Sequence, residues 1–208
     1  FVKIWAPTAK AIEFRLFEDG KTDLIYFKTN LKSVGNGVWE TRLIGDFNGF
    51  FYTLRINEGD WLHEVPDIYA RCVGINGNRG MIFDSLETNP DNWEQDKGPK
   101  ILSLTEAIIY ETHVRDFSVS DNSGIHQKAK YLGFTEKDTR SREGFTTGLA
   151  HLKELGITHV HLLPVNDFAT IDEDHPFEKY NWGYDPQHFN VPEGSYSTQP
   201  HDGRVRIL

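Results

Sequence analysis

The first third of the chain alternates apolar and polar residues in short runs. In the run 11–17, Ile12, Phe14 and Leu16 fall on one side. A period of two is typical of a strand with one buried face. Comparable runs bounded by Gly, Asn, Asp or Pro occupy 1–6, 23–27, 37–43, 50–57 and 61–65. Together they predict an antiparallel, immunoglobulin-like β-sandwich over residues 1–80.

Residues 81–105 lose this regularity. The stretch has poor hydrophobic periodicity and is interrupted by Asn89-Pro90 and Gly98-Pro99. Such dipeptides favour turns and loops. We therefore predict a connector that lies on the surface.

A different pattern begins near residue 106. The near-continuous apolar run within 107–117 predicts a buried strand, and 157–165 predicts another. Between them, 142–156 places Phe145, Leu149, Leu152 and Leu155 on one helical stripe, and Gly156 suits a left-handed helix end. Strand, helix and strand in this order predict a right-handed parallel crossover.

The remainder of the second domain, 106–208, is expected to be incomplete. After Val165 the chain reads as one long loop with Pro176, Pro186, Pro192 and Pro200. Two strands in about 100 residues cannot close an eight-stranded barrel of about 250 residues. Because an uncovered parallel sheet exposes apolar faces, we expect this domain to be unstable alone or to associate.

Composition narrows the class of protein. The chain has 208 residues, 38% of them hydrophobic, and a formal net charge of -9, which disfavours a broad nucleic-acid surface. No run approaches the roughly 18 apolar residues of a membrane span. Cys72 is the only cysteine, which excludes an intrachain disulfide and a thiolate metal site. The start at Phe1 suggests a mature or trimmed chain, and the localisation stays open between cytoplasmic and exported.

The stretch YNWGYDP (180–186) carries the strongest chemical signal. It packs three rings, a carboxamide and a carboxylate into one loop. Rings stack on the apolar faces of sugars while Asn and Asp hydrogen-bond the hydroxyl edges. The alternative is that these rings pin a long loop to the domain body. Both interpretations remain open on the residues alone.

Several segments resemble one known family. In order, they are WAPTA (5–9), VGINGNRGMIFD (73–84), AIIYETHVRDFS (107–118), KELGITHVHLLPV (153–165), YNWGYDP and FNVPEGSYSTQPHDGRVRI (189–207). The chain is similar to type I pullulanases of the α-amylase superfamily over almost its whole length. The resemblance implies a carbohydrate-binding β-sandwich followed by the truncated start of a (β/α)8 TIM barrel.

The same resemblance implies a function. Members of the family cleave α-1,6-glucosidic bonds in pullulan, amylopectin, glycogen and limit dextrins with retention of configuration. They use a nucleophilic Asp, an acidic Glu and a stabilising Asp. In the family these three residues come from later barrel strands, so we expect them beyond Leu208 and predict that this chain alone is inactive. An α-glucan is the expected partner, and no cofactor is required.

The resemblance also assigns substrate-binding residues. Tyr184 matches the Tyr that stacks on the sugar at the cleavage point, and Asp185 is expected to fix that part of the site. Asn181 and Trp182 are expected to shape the pocket. Asn166 departs from the family, in which this position is commonly aromatic, so a stacking role there is in doubt.

Other polar groups have simpler interpretations. Glu111 and Asp116 are five apart, so a regular strand would point them to opposite faces. His159 and His161 share one strand face, where packed histidines are favoured over metal ligands, and His113 could join them in a polar layer.

The acidic stretch of Asp172, Glu173, Asp174 and Glu178 offers oxygen ligands to Ca²⁺ but lacks EF-hand spacing, so a solvated loop is favoured. The stretch VGINGNRG (73–80) lacks P-loop spacing and predicts turns that close the sandwich.

Two functional alternatives remain. A branching enzyme or another transferase of the same superfamily would share the sandwich and the barrel. A non-catalytic glucan-binding fragment would use the sandwich, with Trp61 as a candidate platform and Trp39 more consistent with a buried position.

Overall fold

The computed structural model describes residues 1–58, 61–100 and 103–208, with the backbone alone for 58 and 61–63. Its strands are β1 (Val2–Trp5), β2 (Ala11–Phe17), β3 (Phe27–Asn30), β4 (Lys32–Gly35), β5 (Val38–Thr41), β6 (Phe51–Glu58), β7 (Trp61–Val65), β8 (Gly80–Met81), β9 (Ile109–Thr112), β10 (His159–Leu162), β11 (Asn166–Phe168) and β12 (Pro186–Pro192). Its α-helices are α1 (Val114–Ser118), α2 (Gly148–Glu154) and α3 (Gly203–Ile207). No helix in the described ranges has the length and apolar character needed to cross a membrane.

The first part of the chain folds into two antiparallel sheets that share a core. One sheet has the order β1-β5-β4, and the other has β3-β2-β6-β7 with β8 beside β6. Ile12, Phe14 and Leu16 of β2 are fully buried, and Val2 and Trp39 of the facing sheet pack against them. The β-sandwich predicted from the alternation is therefore confirmed.

Two strands of the sandwich differ from the sequence prediction. The predicted strand over 23–27 is wrong: β3 begins at Phe27, where Leu16 pairs with it, and Leu24 is exposed. Strand β4 had no apolar alternation to reveal it. All four of its residues are exposed, and its pairing with β5 comes from backbone hydrogen bonds rather than burial.

The stretch 73–80 forms the turn that the sequence predicted. Asn76 and Gly77 adopt left-handed conformations, with φ of 55° and 65°. The Gly74 N–H donates to the Arg79 carbonyl oxygen at 2.9 Å, and Val73 bridges Gly80. The following stretch contains short 3-10 turns at Ser85–Thr88, Trp93–Gln95 and Leu104–Glu106. The domain limits 1–80, 81–105 and 106–208 remain predictions.

Strands β9 and β10 form a parallel pair, as predicted, with Ile109 opposite His159. The predicted strand over 107–117 is too long, because the His113 Nδ1 accepts the Arg115 N–H at 3.2 Å and starts helix α1. The sequence predicted that both strands are buried, but the structure leaves the pair exposed. Ile109 is 64% exposed, since no second layer of the described residues covers it.

Helix α2 is shorter than the predicted 142–156. Phe145 lies before the helix and is exposed, because Thr146 pairs with Arg140 in an isolated bridge. The predicted helix end is confirmed. Gly156 has a φ of +73°, and the N–H groups of Gly156 and Ile157 donate to the carbonyls of Lys153 and Leu152.

The predicted long loop after Val165 is instead partly regular. Strands β11 and β12 form an antiparallel hairpin, and α3 follows. Their polar composition hid them from the periodicity. Phe168 and Tyr196 pack with Val114 in a buried cluster. Helix α3 closes on the sandwich: an added Cβ at Gly203 would lie 2.5 Å from the Cys72 Sγ.

Candidate functional site

The 180–186 loop is the last part of the segment that connects β11 to β12. Phe168 of β11 pairs with Pro186, and the Ala169 N–H donates to the Asp185 carbonyl oxygen at 3.4 Å. The loop is therefore held at its base by the same hairpin that begins at Asn166.

Asp185 and Asn181 brace this loop internally. The Asp185 carboxylate accepts hydrogen bonds from Thr170 Oγ1 at 2.9 Å and from Asn181 Nδ2 at 2.7 Å. Asn181 Nδ2 also donates to Thr170 Oγ1, and Asn181 Oδ1 accepts the Gly183 N–H at 2.7 Å. The polar groups that the sequence suggested for sugar hydroxyls are thus engaged in fixing the loop.

Gly183 brings the loop against the end of β10. Its φ is +90°, and a Cβ at this position would clash with the Pro164 carbonyl oxygen. Only glycine fits both the left-handed backbone and the close approach.

The three rings of the loop differ in exposure and contacts. Tyr184 is 69% exposed and Trp182 is 59% exposed. Tyr180 is packed more closely, with its ring stacked on His113 at 5.2 Å and the Arg115 guanidinium 5.2 Å from its centroid. Trp182 meets the Tyr180 ring edge to face at 6.0 Å. The arrangement presents two aromatic surfaces, on Tyr184 and Trp182, from a braced base.

Tyr180 and His113 connect this base to the helix α1. The Tyr180 hydroxyl donates to Asp116 Oδ2 at 2.7 Å, and burial together with this hydrogen bond raises the pKa of Tyr180 to about 12. Because His113 Nδ1 accepts the Arg115 N–H, the ring proton lies on Nε2 and is donated to the Asn181 carbonyl oxygen at 2.9 Å. His113 is buried and was not assigned this role from the sequence.

Two of the simpler sequence interpretations change, and Asn166, for which a stacking role was in doubt, has a structural contact. Glu111 and Asp116 do not share a regular strand, because Asp116 lies in helix α1. His159 and His161 are exposed and not packed, and His113 contacts Asn181 and Tyr196 instead of joining them in a polar layer. Asn166 donates to the Phe189 carbonyl oxygen at 2.7 Å and so contributes to the hairpin.

The sandwich tryptophans are placed differently from each other. Trp39 is half-buried, packs on the sandwich core and donates its indole N–H to the Ala6 carbonyl oxygen at 3.1 Å. The side chain of Trp61, the candidate glucan platform, lies outside the described residues.

A buried charge cluster lies beneath the hairpin and was missed in the sequence. Arg206 is fully buried and donates to Asp167 Oδ1 at 2.9 Å. It also binds both Glu173 oxygens, at 3.1 and 2.8 Å. Glu193 is buried as well and accepts the N–H groups of Phe168 and Ser195. The prediction of a solvated acidic loop is therefore wrong for Glu173, because Arg206 compensates its charge.

The three carboxyl groups are close enough to raise the question of a metal. One oxygen each from Asp167, Glu173 and Glu193 lies within 4.8 Å of the other two. However, Arg206 and backbone N–H groups already bind both oxygens of Glu173 and both of Glu193. The cluster therefore fits a guanidinium better than a divalent cation, because an added ion would face a buried positive charge.

Burial governs the protonation of this cluster. Desolvation raises the pKa of Asp167 to about 8, although Arg206 opposes the shift, and it raises the pKa of Glu193 to about 7. The Asp167 Oδ2 is buried and accepts no hydrogen bond from the described residues. A neutral Asp167 resolves this, since a protonated carboxyl can donate to a neighbouring carboxylate.

Comparison with known proteins finds pullulanases and a glucan branching enzyme among the relatives of this chain. A pullulanase from Bacillus subtilis (strain 168) is 44% identical over 206 residues, which are 98% of this chain and 27% of the relative. A 1,4-alpha-glucan branching enzyme from Aquifex aeolicus (strain VF5) is 27% identical over 209 residues, which are 95% of this chain and 29% of the relative. No family model matches the chain.

Comparison with solved structures also finds pullulanases. A pullulanase from Paenibacillus barengoltzii, crystallised in complex with maltohexaose and alpha-cyclodextrin, superposes with a TM-score of 0.95 at 45% sequence identity. The match covers 99% of this chain and 32% of that chain. This chain thus spans about a quarter to a third of the length of these three relatives.

Proposed function

We propose that this chain is part of a debranching glycoside hydrolase of the pullulanase type, which cleaves α-1,6-glucosidic bonds in pullulan, amylopectin, glycogen and limit dextrins. The observation that carries the proposal is the match to pullulanases along 98% of the chain at 44% identity. The crystallised relative with bound maltohexaose supports an α-glucan as the ligand.

The architecture assigned by this proposal has two parts. The β-sandwich is the carbohydrate-binding module, and β9, α2 and β10 begin a (β/α)8 catalytic barrel. In such barrels the substrate site lies at the carboxyl ends of the strands. The 180–186 loop follows β10 and packs on Pro164, which is consistent with that location.

The contribution of this chain to the site is one wall. Tyr184 is the platform under the sugar at the cleavage point, and Trp182 extends the aromatic surface. An exposed ring can stack on the C–H face of a sugar without prior rearrangement. Asn181 and Asp185 act by holding the loop, because their polar atoms are occupied by Thr170, Gly183 and each other.

The chemistry itself requires further residues. A retaining glycosidase needs a nucleophilic carboxylate about 5 Å from an acidic carboxyl group. Within the described residues, Asp167, Glu173 and Glu193 form the close carboxyl cluster, and this cluster is buried beneath a guanidinium. We assign no catalytic carboxylate here and infer that the 208-residue chain alone does not hydrolyse glucan.

The test compares the 208-residue chain with the complete protein encoded by the open reading frame that contains it. Both are incubated with pullulan while reducing ends are followed. We expect turnover from the complete protein and none above buffer from the chain alone. Turnover by the chain itself would contradict the assignment of the catalytic groups elsewhere.

Two variants of the complete protein test the aromatic wall. Tyr184→Phe keeps the ring and should retain most activity, whereas Tyr184→Ala should lower kcat/KM by about fivefold or more, since aromatic stacking contributes about 1 kcal/mol or more. Equal activity of the Ala variant and the unmodified protein would argue against the platform.

Two other functions have some support. The branching-enzyme relative keeps a transferase of the same superfamily as the second candidate. Analysis of branch content in the products separates cleavage of α-1,6 bonds from their formation. A non-catalytic glucan-binding module is the third, and retention of the 208-residue chain on amylopectin without hydrolysis by the complete protein would favour it.

A further inference from the structure

The buried cluster lies where one turn of the sandwich meets the second half of the chain. The Asn76 N–H donates to Glu173 Oε2 at 2.8 Å, and the Glu173 N–H donates to Asn76 Oδ1 at 2.8 Å. Arg206 Nη2 donates to the Gly74 carbonyl oxygen at 3.1 Å. His188 Nε2 lies 2.9 Å from the Gly77 carbonyl oxygen. Side chains from three separate segments thus bind the backbone of one turn, residues 74–77.

The fit around this turn is close. An added Cβ at Gly77 would lie 2.6 Å from Asp167 Oδ2 and 2.9 Å from His188 Cδ2. Gly77 also has a left-handed φ of +65°. The turn therefore covers the cluster directly, and side-chain bulk at this position would push it away.

The same cluster is connected to the 180–186 loop. Asp167 lies in β11, directly before Phe168, which pairs with Pro186. The next two residues hold Asp185: Ala169 through its N–H and Thr170 through its hydroxyl. A displacement of Asp167 would be transmitted to the base of the loop within three residues.

We propose that Arg206 is a positioning residue, which together with Glu173 and Asp167 holds the sandwich turn 74–77 and the base of the 180–186 loop in one fixed arrangement. The importance of this arrangement for glucan binding rests on the proposed function. The mechanical link between the turn and the hairpin does not.

With Asp167 neutral, Arg206 and Lys130 face the carboxyl groups of Glu173 and Glu193. The charges balance once the pH exceeds the raised pKa of Glu193, about 7. Lys130 is partly buried and donates to the Ser195 carbonyl oxygen at 2.7 Å. Titratable and charged groups surround the cluster from several elements: His188 of β12, Lys130 and Tyr131 before α2, Tyr196 after β12, Asp202 before α3, Arg204 within α3, and Cys72 of the sandwich.

The decisive measurement is hydrogen exchange of the backbone amides in the 208-residue chain. Arg206→Lys keeps the charge but cannot bind Glu173 with two N–H groups in a fixed plane. We expect exchange at residues 74–77 and 180–186 to accelerate by about tenfold or more, because a buried charge-assisted contact is lost. Arg204→Lys is the matched control, since Arg204 lies on the same helix in partly exposed bridges to Asp202 and Glu87. This control should leave both segments unchanged.

Two further substitutions keep the test decisive if Arg206→Lys does not fold. Glu173→Gln removes the negative charge and should accelerate exchange in the same two segments. Asp167→Asn resembles the protonated carboxyl and should preserve protection, whereas Asp167→Ala should lose it. Unchanged exchange at 74–77 and 180–186 in folded Glu173→Gln or Arg206→Lys would overturn the proposal, as would acceleration confined to only one of the two segments.

The complete protein supplies a separate readout. At a temperature where circular dichroism shows the variants folded, Arg206→Lys should lower kcat/KM on pullulan several-fold, while Arg204→Lys should not. If the unmodified protein has no activity on glucans, the proposed function fails and the exchange experiment still decides the positioning role. Full activity in a variant with faster exchange would contradict the link to substrate.

Discussion

Asp167 and Asp174 are seven residues apart, and the fold shifts their carboxyl groups in opposite directions. Burial raises the pKa of Asp167 to about 8 from an ordinary 3.8. The hydrogen bond from Lys21 lowers the pKa of the largely solvated Asp174. Residue type and local sequence do not distinguish the two, so the difference arises from the cluster around Arg206.

This difference predicts a pH dependence with a defined sign. The folded state keeps the Asp167 proton, whereas the unfolded chain releases it above about pH 4. The stability contributed by this group is therefore complete below about pH 4 and is lost as the pH rises towards 8. Asp167→Asn cannot ionise, so it should flatten the decline by at most about 1.4 kcal/mol per pH unit.

Thermal unfolding between pH 4 and pH 8 measures this effect. Asp174→Asn is the control: the pKa of Asp174 is lowered from an ordinary 3.8, so this carboxyl titrates below the measured range and its substitution should leave the slope between pH 4 and pH 8 unchanged. Parallel curves for Asp167→Asn and the unmodified chain would contradict a neutral Asp167.

The 180–186 loop shows how much of the candidate site could be predicted from the sequence. The sequence correctly singled out the stretch 180–186 as an irregular, ring-rich loop. It could not assign Asn181 and Asp185 to bracing or Trp182 and Tyr184 to exposure, because those roles depend on Thr170, Pro164 and the hairpin. Their roles in binding glucan remain predictions.

At the scale of elements, the loop depends on one glycine. Gly183 has a φ of +90°, and a Cβ there would clash with the Pro164 carbonyl oxygen. Gly144 has a φ of +87° but nothing within 4 Å of an added Cβ. The two positions share the backbone requirement and differ only in the space around it.

We predict that Gly183→Ala destabilises the chain more than Gly144→Ala. Both substitutions introduce left-handed strain of about 1–2 kcal/mol. Gly183→Ala must also displace the loop from Pro164, which should add about 1 kcal/mol or more. Equilibrium unfolding in urea gives the comparison, and equal losses for the two variants would show that the close approach is unimportant.

The elements themselves divide into those that periodicity reveals and those that it does not. Strand β2 was predicted residue by residue because Ile12, Phe14 and Leu16 are its buried face. Strands β4, β11 and β12 were missed because backbone pairing defines them without a clear apolar alternation. Helix α2 was overextended because Phe145 matches the stripe in sequence but lies in a preceding bridge.

At the scale of the whole molecule, the buried charge cluster was beyond the reach of local patterns. Its members at positions 167, 173, 193 and 206 span about forty residues and have no common spacing. They meet only after β11, β12 and α3 close on the sandwich turn. Without structural information, charged residues are predicted to be exposed to solvent. Arg206, which compensates the buried carboxyl groups, is identified only from the three-dimensional structure.

The parallel pair β9 and β10 predicts how the 208-residue chain behaves in solution. Ile108, Ile109 and Val160 expose a large part of their side chains. Contiguous apolar surface of this kind promotes association. We expect concentration-dependent self-association in analytical ultracentrifugation, which Ile109→Lys should reduce.

The control for this prediction is Ile44→Lys, because Ile44 is exposed but belongs to neither strand of the parallel pair. It should leave association unchanged. A monomer at all concentrations, or an equal response to both substitutions, would show that the sheet surface is not the cause.

The close packing of Gly203 against Cys72 allows the rate of thiol labelling to measure how often this buried region opens. Cys72 is the only cysteine, it is buried, and burial raises the pKa of its thiol to about 12. Cys72 packs both against Gly203 of α3 and within the cluster of Phe17, Phe51 and Met81, so a maleimide or disulfide reagent can react with it only when this packing opens. The labelling rate of the unmodified chain reports how often Cys72 becomes exposed, without any introduced probe.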